Sequence, residues 1–281
     1  DLNLVFSGHG KHLDCPTLQL ANHHGLMIAG EAALSNWDAG MDMYIYGKLG
    51  NLIMTKEGIN VLMTNLTGKV PPILQRLDYI RFNGEAAGYL HDLTLTGLFH
   101  TGAGMVKTDV MMSIDEQSMS RTYSGSVASA DLDLGKLLNQ EKKFGKVDFN
   151  VELKGFNYKN RYPESYIKGI ISSFEYSQYQ YENIMLDGVY KDGGFNGRLS
   201  MDDANGSVQI DGNFNVAKTI PDFNLKASVK NLRPHDLHLS DKYENTSISL
   251  GLTADFTGKS IDDMNGRISL DSLQLNAPDE R

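Results

Sequence analysis

Apolar and polar side chains alternate along most of this chain, and this period of two constrains the fold more than any other feature. Residues 147–153 are apolar at every odd position, with Asp148, Asn150 and Glu152 between them. Residues 248–256 repeat the pattern. Successive side chains of a β-strand point to opposite faces, so the pattern predicts strands with one apolar face and one wet face. Such strands are typical of antiparallel sheets.

Turn residues separate these runs at short intervals, as at residues 191–194 and at Asn205-Gly206. The chain has 28 glycines and only 7 prolines, a composition that suits a long series of hairpins. Helical periodicity is confined to residues 71–77 and 132–138. We therefore predict an all-β fold with few short helices, built as one elongated β-repeat region over residues 1–281. The most linker-like stretch, 139–146, is the predicted sub-boundary.

Composition excludes several classes of protein. The formal net charge is −9 and the pI is about 5.3, without a clustered basic patch, so we predict no nucleic-acid partner. Cys15 is the only cysteine, which excludes an intrachain disulfide and a zinc site of several thiolates. No run of eighteen apolar residues occurs. The chain opens in a strand-like pattern without a signal peptide, so we expect it to be part of a longer protein.

Polar motifs predict neither catalysis nor a metal or other cofactor. His23 and His24 are adjacent, and adjacent side chains on a strand point to opposite faces and cannot share a metal ion. The pairs 202–203 and 262–263 are aspartates just before Asn-Gly, where they favour turns over calcium ligation. No Gly-x-Ser-x-Gly elbow or phosphate-binding loop is present, and nothing near Cys15 activates a nucleophile.

One aromatic concentration leaves two interpretations open: a binding platform for carbohydrate or peptide, or cross-strand packing partners, which is the commoner role of such residues. Its members are Phe174, Tyr176, Tyr179, Tyr181 and Tyr190.

The second half of the chain resembles the AsmA/TamB family (translocation and assembly module proteins) as represented in Bacteroidetes. The resemblance is strongest from about Gly125 to the end, and its motifs are residues 184–190, 193–197, 201–206, 221–227, 255–258 and 261–266. It implies a sheet folded lengthwise into a trough (β-taco-like) with an apolar lining. It further implies a periplasmic location within a parent anchored in the inner membrane, and a role in outer-membrane biogenesis.

The alternation and the resemblance together predict a lipid groove on the apolar face. A sheet with one continuous apolar face must cover it with another sheet, a helix or a ligand, and few helices are available. An open groove and a closed sandwich both fit the same pattern. The candidate groove residues are Val147, Phe149, Val151, Leu153, Val208, Ile210, Phe214, Phe223, Leu225, Val229, Ile248, Leu250, Leu252 and Phe256.

Three non-enzymatic functions follow from these expectations. The first is phospholipid transport between the inner and outer membranes, with phospholipid or acyl chains as the bound partner. The second is a scaffold or chaperone that pairs an exposed strand edge with an outer-membrane barrel protein during its assembly or translocation. The third is a surface adhesin or carbohydrate-binding repeat that uses the tyrosine cluster.

Overall fold

The computed structural model describes residues 1–115, 117–118, 120–157, 164–215, 217–242, 244–259 and 263–277. The structure is 68% strand and 8% helix, which confirms the predicted all-β antiparallel fold with few short helices. The chain divides into two compact units, residues 1–142 and residues 143–281. The division falls inside the predicted stretch 139–146.

The described residues of unit 1 form nine strands, and from the first to the eighth each strand pairs antiparallel with the next one along the chain. The strands are β1 (Leu2–His9), β2 (His12–Ala21), β3 (Leu26–Ser35), β4 (Tyr44–Thr55), β5 (Tyr79–Tyr89), β6 (Asp92–Thr101), β7 (Gly104–Ile114), β8 (Arg121–Ala130) and the two-residue β9 (Leu132–Asp133). The helices are α1 (Lys56–Thr67), α2 (Pro72–Gln75) and α3 (Leu134–Leu138), with a 3₁₀ turn at Gly40–Asp42.

In the part of unit 2 that the structure describes, eight strands form an antiparallel meander in which each strand again pairs with its sequence neighbour. Its strands are β10 (Phe144–Asn157), β11 (Glu164–Tyr176), β12 (Tyr179–Lys191), β13 (Gly194–Asp203), β14 (Gly206–Asn215), β15 (Asp222–Leu232), β16 (Ser247–Thr257) and β17 (Asn265–Asn276). In both units the sheet is open, an arrangement consistent with the predicted trough.

Helix α1 is an element that the sequence patterns did not predict, and it closes one end of the apolar face of unit 1. Thr55 caps its start by accepting a hydrogen bond from the Gly58 amide, and Gly68 ends it in the left-handed conformation. Ile59 of the helix is 1% exposed and packs in a cluster with Ile80 and Ala103. The two predicted helical stretches appear as the short helices α2 and α3.

Glycines at inward-facing positions let neighbouring strands approach closely. In unit 2, Gly188, Gly197 and Gly212 are register partners on three consecutive strands. A Cβ atom on Gly212 would lie 2.2 Å from the carbonyl oxygen of Asn224, and Gly212 has a φ of +145°, so only glycine fits there. In strand interiors glycine is typical of close backbone approach and of sharp bends.

Candidate apolar binding face

The fourteen predicted groove residues lie together on one face of unit 2. Residues directly opposite each other in an antiparallel pair have side chains on the same face, and the register joins the predicted residues across β14, β15 and β16. For example, Phe214 lies opposite Phe223, which lies opposite Phe256. Val147, Phe149, Val151 and Leu153 occupy alternate positions of β10 and lie opposite Phe174, Ile171, Gly169 and Ile167.

The exposure of these side chains distinguishes the two arrangements that the sequence left open. Val147 is buried, at 5% exposed, whereas the other thirteen predicted groove residues are only half-buried. A closed sandwich would bury most side chains of its inner faces. Partial exposure of a whole apolar face therefore favours a groove.

The apolar face also extends over β11, β12, β13 and β17, where no groove residues are predicted from the sequence. Ile184 and Leu186 lie opposite Met201 and Leu199, which extend the same face. Alternation was visible at these positions, but irregularities such as Asn183, whose φ is +52°, break its period. The missed members opposite β10, β14 and β16 are Ile167, Ile171, Phe195, Ile268, Leu270, Leu273 and Leu275.

Unit 1 carries an equivalent apolar face that the prediction did not include. Across β2 to β6, the register aligns Leu20, Ile28, Leu52, Phe82 and Phe99. Phe82 is buried at 6%, and its ring lies 4.5 Å from that of Phe99. Each unit therefore has an apolar face of its own.

Along the central part of unit 2, charged side chains lie on the face opposite the apolar one. Two lines of register partners bound this part of the sheet: one runs through Phe195 and the phenylalanines opposite it, and the other runs through Ile184. Between these two lines, the groove-facing positions of the described strands of unit 2 carry no Asp, Glu, Lys or Arg. On the opposite face, register partners alternate in sign from strand to strand. This charge ladder consists of Glu152, Lys168, Asp187, Arg198, Asp211 and Lys226.

The charge ladder contains close ion pairs that support the strand register. The Arg198 guanidinium donates to Asp211 at 2.7 Å, and the Lys168 ammonium lies 3.5 Å from Asp187. A hydrogen bond from Tyr166, followed by the nearby Lys168, holds the pKa of Asp187 below its ordinary value. Exposed pairs of this kind contribute little stability singly. They hold charged groups in register on the face of unit 2 opposite the apolar one.

The aromatic cluster packs at one end of the apolar face. Tyr181 is 9% exposed, and its ring lies 4.8 Å from that of Tyr179 and 6.5 Å from that of Phe174. Its hydroxyl donates to the carbonyl oxygen of Leu237 at 2.7 Å. Tyr190 is not part of this packing, since it lies at the other end of β12, opposite Phe195. These contacts favour the packing interpretation over a binding platform.

Leu237 anchors the loop between β15 and β16 and is 0% exposed. We expect Leu237→Ala to lower the free energy of unfolding by about 2–5 kcal/mol, because it removes buried methyl groups and leaves a cavity. Leu239→Ala is the matched control, since Leu239 is 53% exposed in the same loop and its truncation should change stability by less than about 0.5 kcal/mol. Urea unfolding of both variants measures the difference, and equal effects would show that the loop is not anchored by Leu237.

The ionisation of Tyr179 makes the stability of this end of the apolar face depend on pH in the alkaline range. Burial, followed by the hydrogen bond that its hydroxyl donates to Asp203, raises the pKa of Tyr179 to about 12. The pKa of Tyr179 in the folded state lies above the ordinary value of 10.0. The protonated hydroxyl therefore stabilises the folded state fully below pH 10, and this stabilisation is lost as the pH rises towards 12. We expect the stability difference between the wild type and Tyr179→Phe to shrink over that interval. Chemical unfolding at pH 8 to 12 measures it, and a constant difference would contradict the assignment.

The polar clusters of the described residues form surface hydrogen bonds. His12 contacts Ser35 through Nδ1 at 2.6 Å and Asp14 through Nε2 at 2.8 Å, the composition of a serine triad. The side chains of His12 and Asp14 are 48% and 52% exposed, so water competes with each bond. Nucleophile activation instead depends on a protected, oriented base. A structural link between β2 and β3 is the better account of this set.

Metal ligands do not converge in the part of the chain that the structure describes, where no three His, Cys, Asp or Glu side chains are placed to share an ion. His24 instead contacts Glu57 at 2.8 Å. Asp203 accepts a hydrogen bond from the Asn205 amide at 2.9 Å, as expected for a turn residue. Residues 260–262 lie outside the described residues, so the turn predicted at Asp262-Asp263 stays a prediction.

Among the described helices, none combines the length and the apolar character needed to cross a bilayer. Comparisons with protein-family models, with curated proteins and with solved structures found no match to this chain.

Proposed function

We propose that this chain is a non-enzymatic segment of a cell-envelope protein whose apolar faces hold the acyl chains of phospholipids. In this proposal the parent protein is AsmA/TamB-like, is anchored in the inner membrane and carries lipid across the periplasm to the outer membrane. The observation that carries the proposal is the half-exposed apolar face of unit 2, on which thirteen of the fourteen predicted residues remain partly accessible.

The amount of uncovered surface supports a bound apolar ligand. On the apolar face of unit 2, Leu270 and Leu273 are 56% and 62% exposed. Removing apolar surface from water contributes about 25 cal/mol per Å², or about 0.8 kcal/mol for each buried methylene. An acyl chain laid along a neutral face would therefore gain several kcal/mol even if only half of its methylenes were covered.

The arrangement of charge suggests which part of the lipid is held. A face without charged residues offers no partner for a phosphate, and burying an unpaired charge there would be strongly unfavourable. We expect the acyl chains to lie against residues such as Leu250 and Leu252 while the head group stays in water. Binding of this kind would not discriminate between phospholipids by their head groups.

Native mass spectrometry of the purified chain, with lipid extraction from the same sample, tests the proposal. We expect co-purified phospholipid, which exchanges when the protein is incubated with vesicles containing deuterated phosphatidylethanolamine. A sample free of lipid that also fails to take up a fluorescent fatty acid would refute an acyl-binding face.

A further inference from the structure

The loop between β15 and β16 packs over one end of the apolar face of unit 2. Tyr181 lies opposite Phe174, which lies opposite Val147, so these three side chains share the apolar face. The hydroxyl at the tip of the Tyr181 side chain donates a hydrogen bond to the carbonyl oxygen of Leu237 at 2.7 Å. The loop therefore lies on the apolar side of β12 at this end of the strand.

Two further contacts hold the loop in this position. His238 donates from Nδ1 to the carbonyl oxygen of Ser177 at 2.9 Å, and its ring lies 5.7 Å from that of Tyr179. The Arg233 amide donates to the carbonyl oxygen of Asn205 at 2.9 Å. Ser177 follows β11 and Asn205 lies between β13 and β14. The loop is therefore tied to two different turns at the same end of unit 2.

Side-chain exposure differs between the two ends of the apolar face. At the end under the loop, Leu237, Val147 and Tyr181 are 0%, 5% and 9% exposed. We call this the closed end. At the opposite end of the strands, the phenylalanine end, the side chains that form the last row stay half-buried: Phe195, Phe214, Phe223 and Phe256. The face is therefore more accessible at the phenylalanine end.

The polar groups at the closed end offer nothing to an anionic head group. The Tyr181 hydroxyl is engaged by Leu237, and the Tyr179 hydroxyl donates to the carboxylate of Asp203. That carboxylate also accepts a hydrogen bond from the Glu182 amide at 3.2 Å. A phosphate or carboxylate at this end would meet a like charge in Asp203, and the Coulomb interaction would be repulsive. The closed end therefore suits the methyl end of an acyl chain.

Unit 1 closes one end of its own apolar face in a comparable way. Leu26 lies opposite Met54, which lies opposite Ile80, and helix α1 packs Ile59 against this end. Leu26 and Ile80 are 9% and 7% exposed. At the other end of the same face, Met112 is 39% exposed. Covering of one end by a segment outside the strands is thus a feature of each unit.

We propose that an acyl chain lies along the strands of unit 2 with its methyl end at the closed end and its head group at the phenylalanine end. This orientation rests on the acyl binding proposed above and adds a direction to it. From Val208 to Phe214, β14 advances six residues, which is about 20 Å. The acyl chains of one leaflet span about 15 Å, half of the hydrocarbon core of a bilayer. One chain therefore fits between the two ends.

Photo-crosslinking of the wild-type chain tests the orientation. The probes are two palmitic acids, one with a diazirine near the methyl end and one with a diazirine near the carboxylate, and labelled residues are mapped by mass spectrometry. We expect the first probe to label Val147, Tyr181 or Leu237, and the second to label the phenylalanine row. The same labelled residues for both probes, or the reverse assignment, would overturn the orientation while leaving the proposed function intact. Absence of labelling on the apolar face would overturn both.

A matched pair of variants tests the same orientation by affinity. Val208→Lys and Phe214→Lys place the same ammonium group on one face of β14, near its two ends. The ammonium of Phe214→Lys would lie near the carboxylate of a bound fatty acid, whereas that of Val208→Lys would be desolvated without a partner. For a fatty acid whose polyene chain is itself fluorescent, we expect Val208→Lys to weaken binding at least about tenfold more than Phe214→Lys.

Circular dichroism verifies that both variants keep the β-sheet. Equal losses of affinity, or a larger loss for Phe214→Lys, would contradict the orientation. Crosslinking uses the unaltered chain, so a folding defect in either variant cannot mask the result.

Discussion

Leu252→Asp is expected to weaken acyl-chain binding by unit 2, lowering the affinity for a fluorescent fatty acid by at least about tenfold while the β-sheet circular dichroism is retained. Leu252 lies within the apolar face, opposite Ala227 on one side and Leu270 on the other. A carboxylate there would have to lose its hydration against the ligand without a partner, at a cost of several kcal/mol. The strand itself should persist, because the side chain is half-buried and its backbone pairs are unchanged.

Thr253→Asp is the matched control for this prediction. It places the same charge on the next residue of the same strand, but on the opposite face, where Thr253 lies opposite Lys226. We expect fatty-acid binding and co-purified lipid to match the wild type. If both variants lose the ligand, net charge and not the apolar face controls binding. If Leu252→Asp unfolds the chain while Thr253→Asp does not, the face is a closed core and the proposed function fails.

Gly125→Ala is expected to lower the free energy of unfolding by about 1–3 kcal/mol, the range typical of a non-glycine residue held in a sparsely populated backbone region. Gly125 lies on β8 with a φ of +142°, and a Cβ there would lie 2.0 Å from the carbonyl oxygen of Asp109 on the neighbouring strand. Both the backbone conformation of Gly125 and the closeness of the adjacent strand disfavour a side chain at this position. Guanidinium unfolding, followed by circular dichroism, measures the loss.

Gly47→Ala isolates the contribution of this close approach. Gly47 and Gly125 lie on one line of register partners across unit 1. The residues between them on this line are Ala86, Leu95 and Val110. A Cβ at Gly47 would meet no atom within 4 Å, and Gly47 is not among the glycines with positive φ. We expect this substitution to be neutral or to stabilise by about 0.4–1 kcal/mol through the unfolded state. Equal losses at both positions would mean that the strands of unit 1 do not approach closely at Gly125.

Alternation was enough to predict the class of fold and one face of unit 2, because the period of two is a direct consequence of strand geometry. Residues 147–153 and 248–256 lie on strands with the predicted faces. Asn183 on β12 and the additional residue Ser172 on β11 mark positions where alternation no longer predicts the face of a side chain. One additional residue in a strand shifts the period, and sequence alone does not locate such bulges.

Helix α1 and the loop of Leu237 were missed for a different reason. Their positions depend on tertiary packing, since Ile59 and Leu237 are buried only because the sheet supplies a surface for them. Intrinsic helix propensity is weak compared with such packing. Exposure of the apolar face was likewise beyond sequence reasoning, because a groove and a closed core place apolar residues in the same alternating pattern.

The pairing of each strand in unit 2 with its sequence neighbour makes the length of such a sheet adjustable. Duplication or deletion of one whole hairpin preserves strand direction, the alternation of faces and every contact beyond the adjoining strands, as in repeat proteins. Each added hairpin would lengthen the sheet by about 10 Å, twice the spacing between strands. A change in the number of hairpins could therefore change the length of a protein of this design without a change in its surface chemistry.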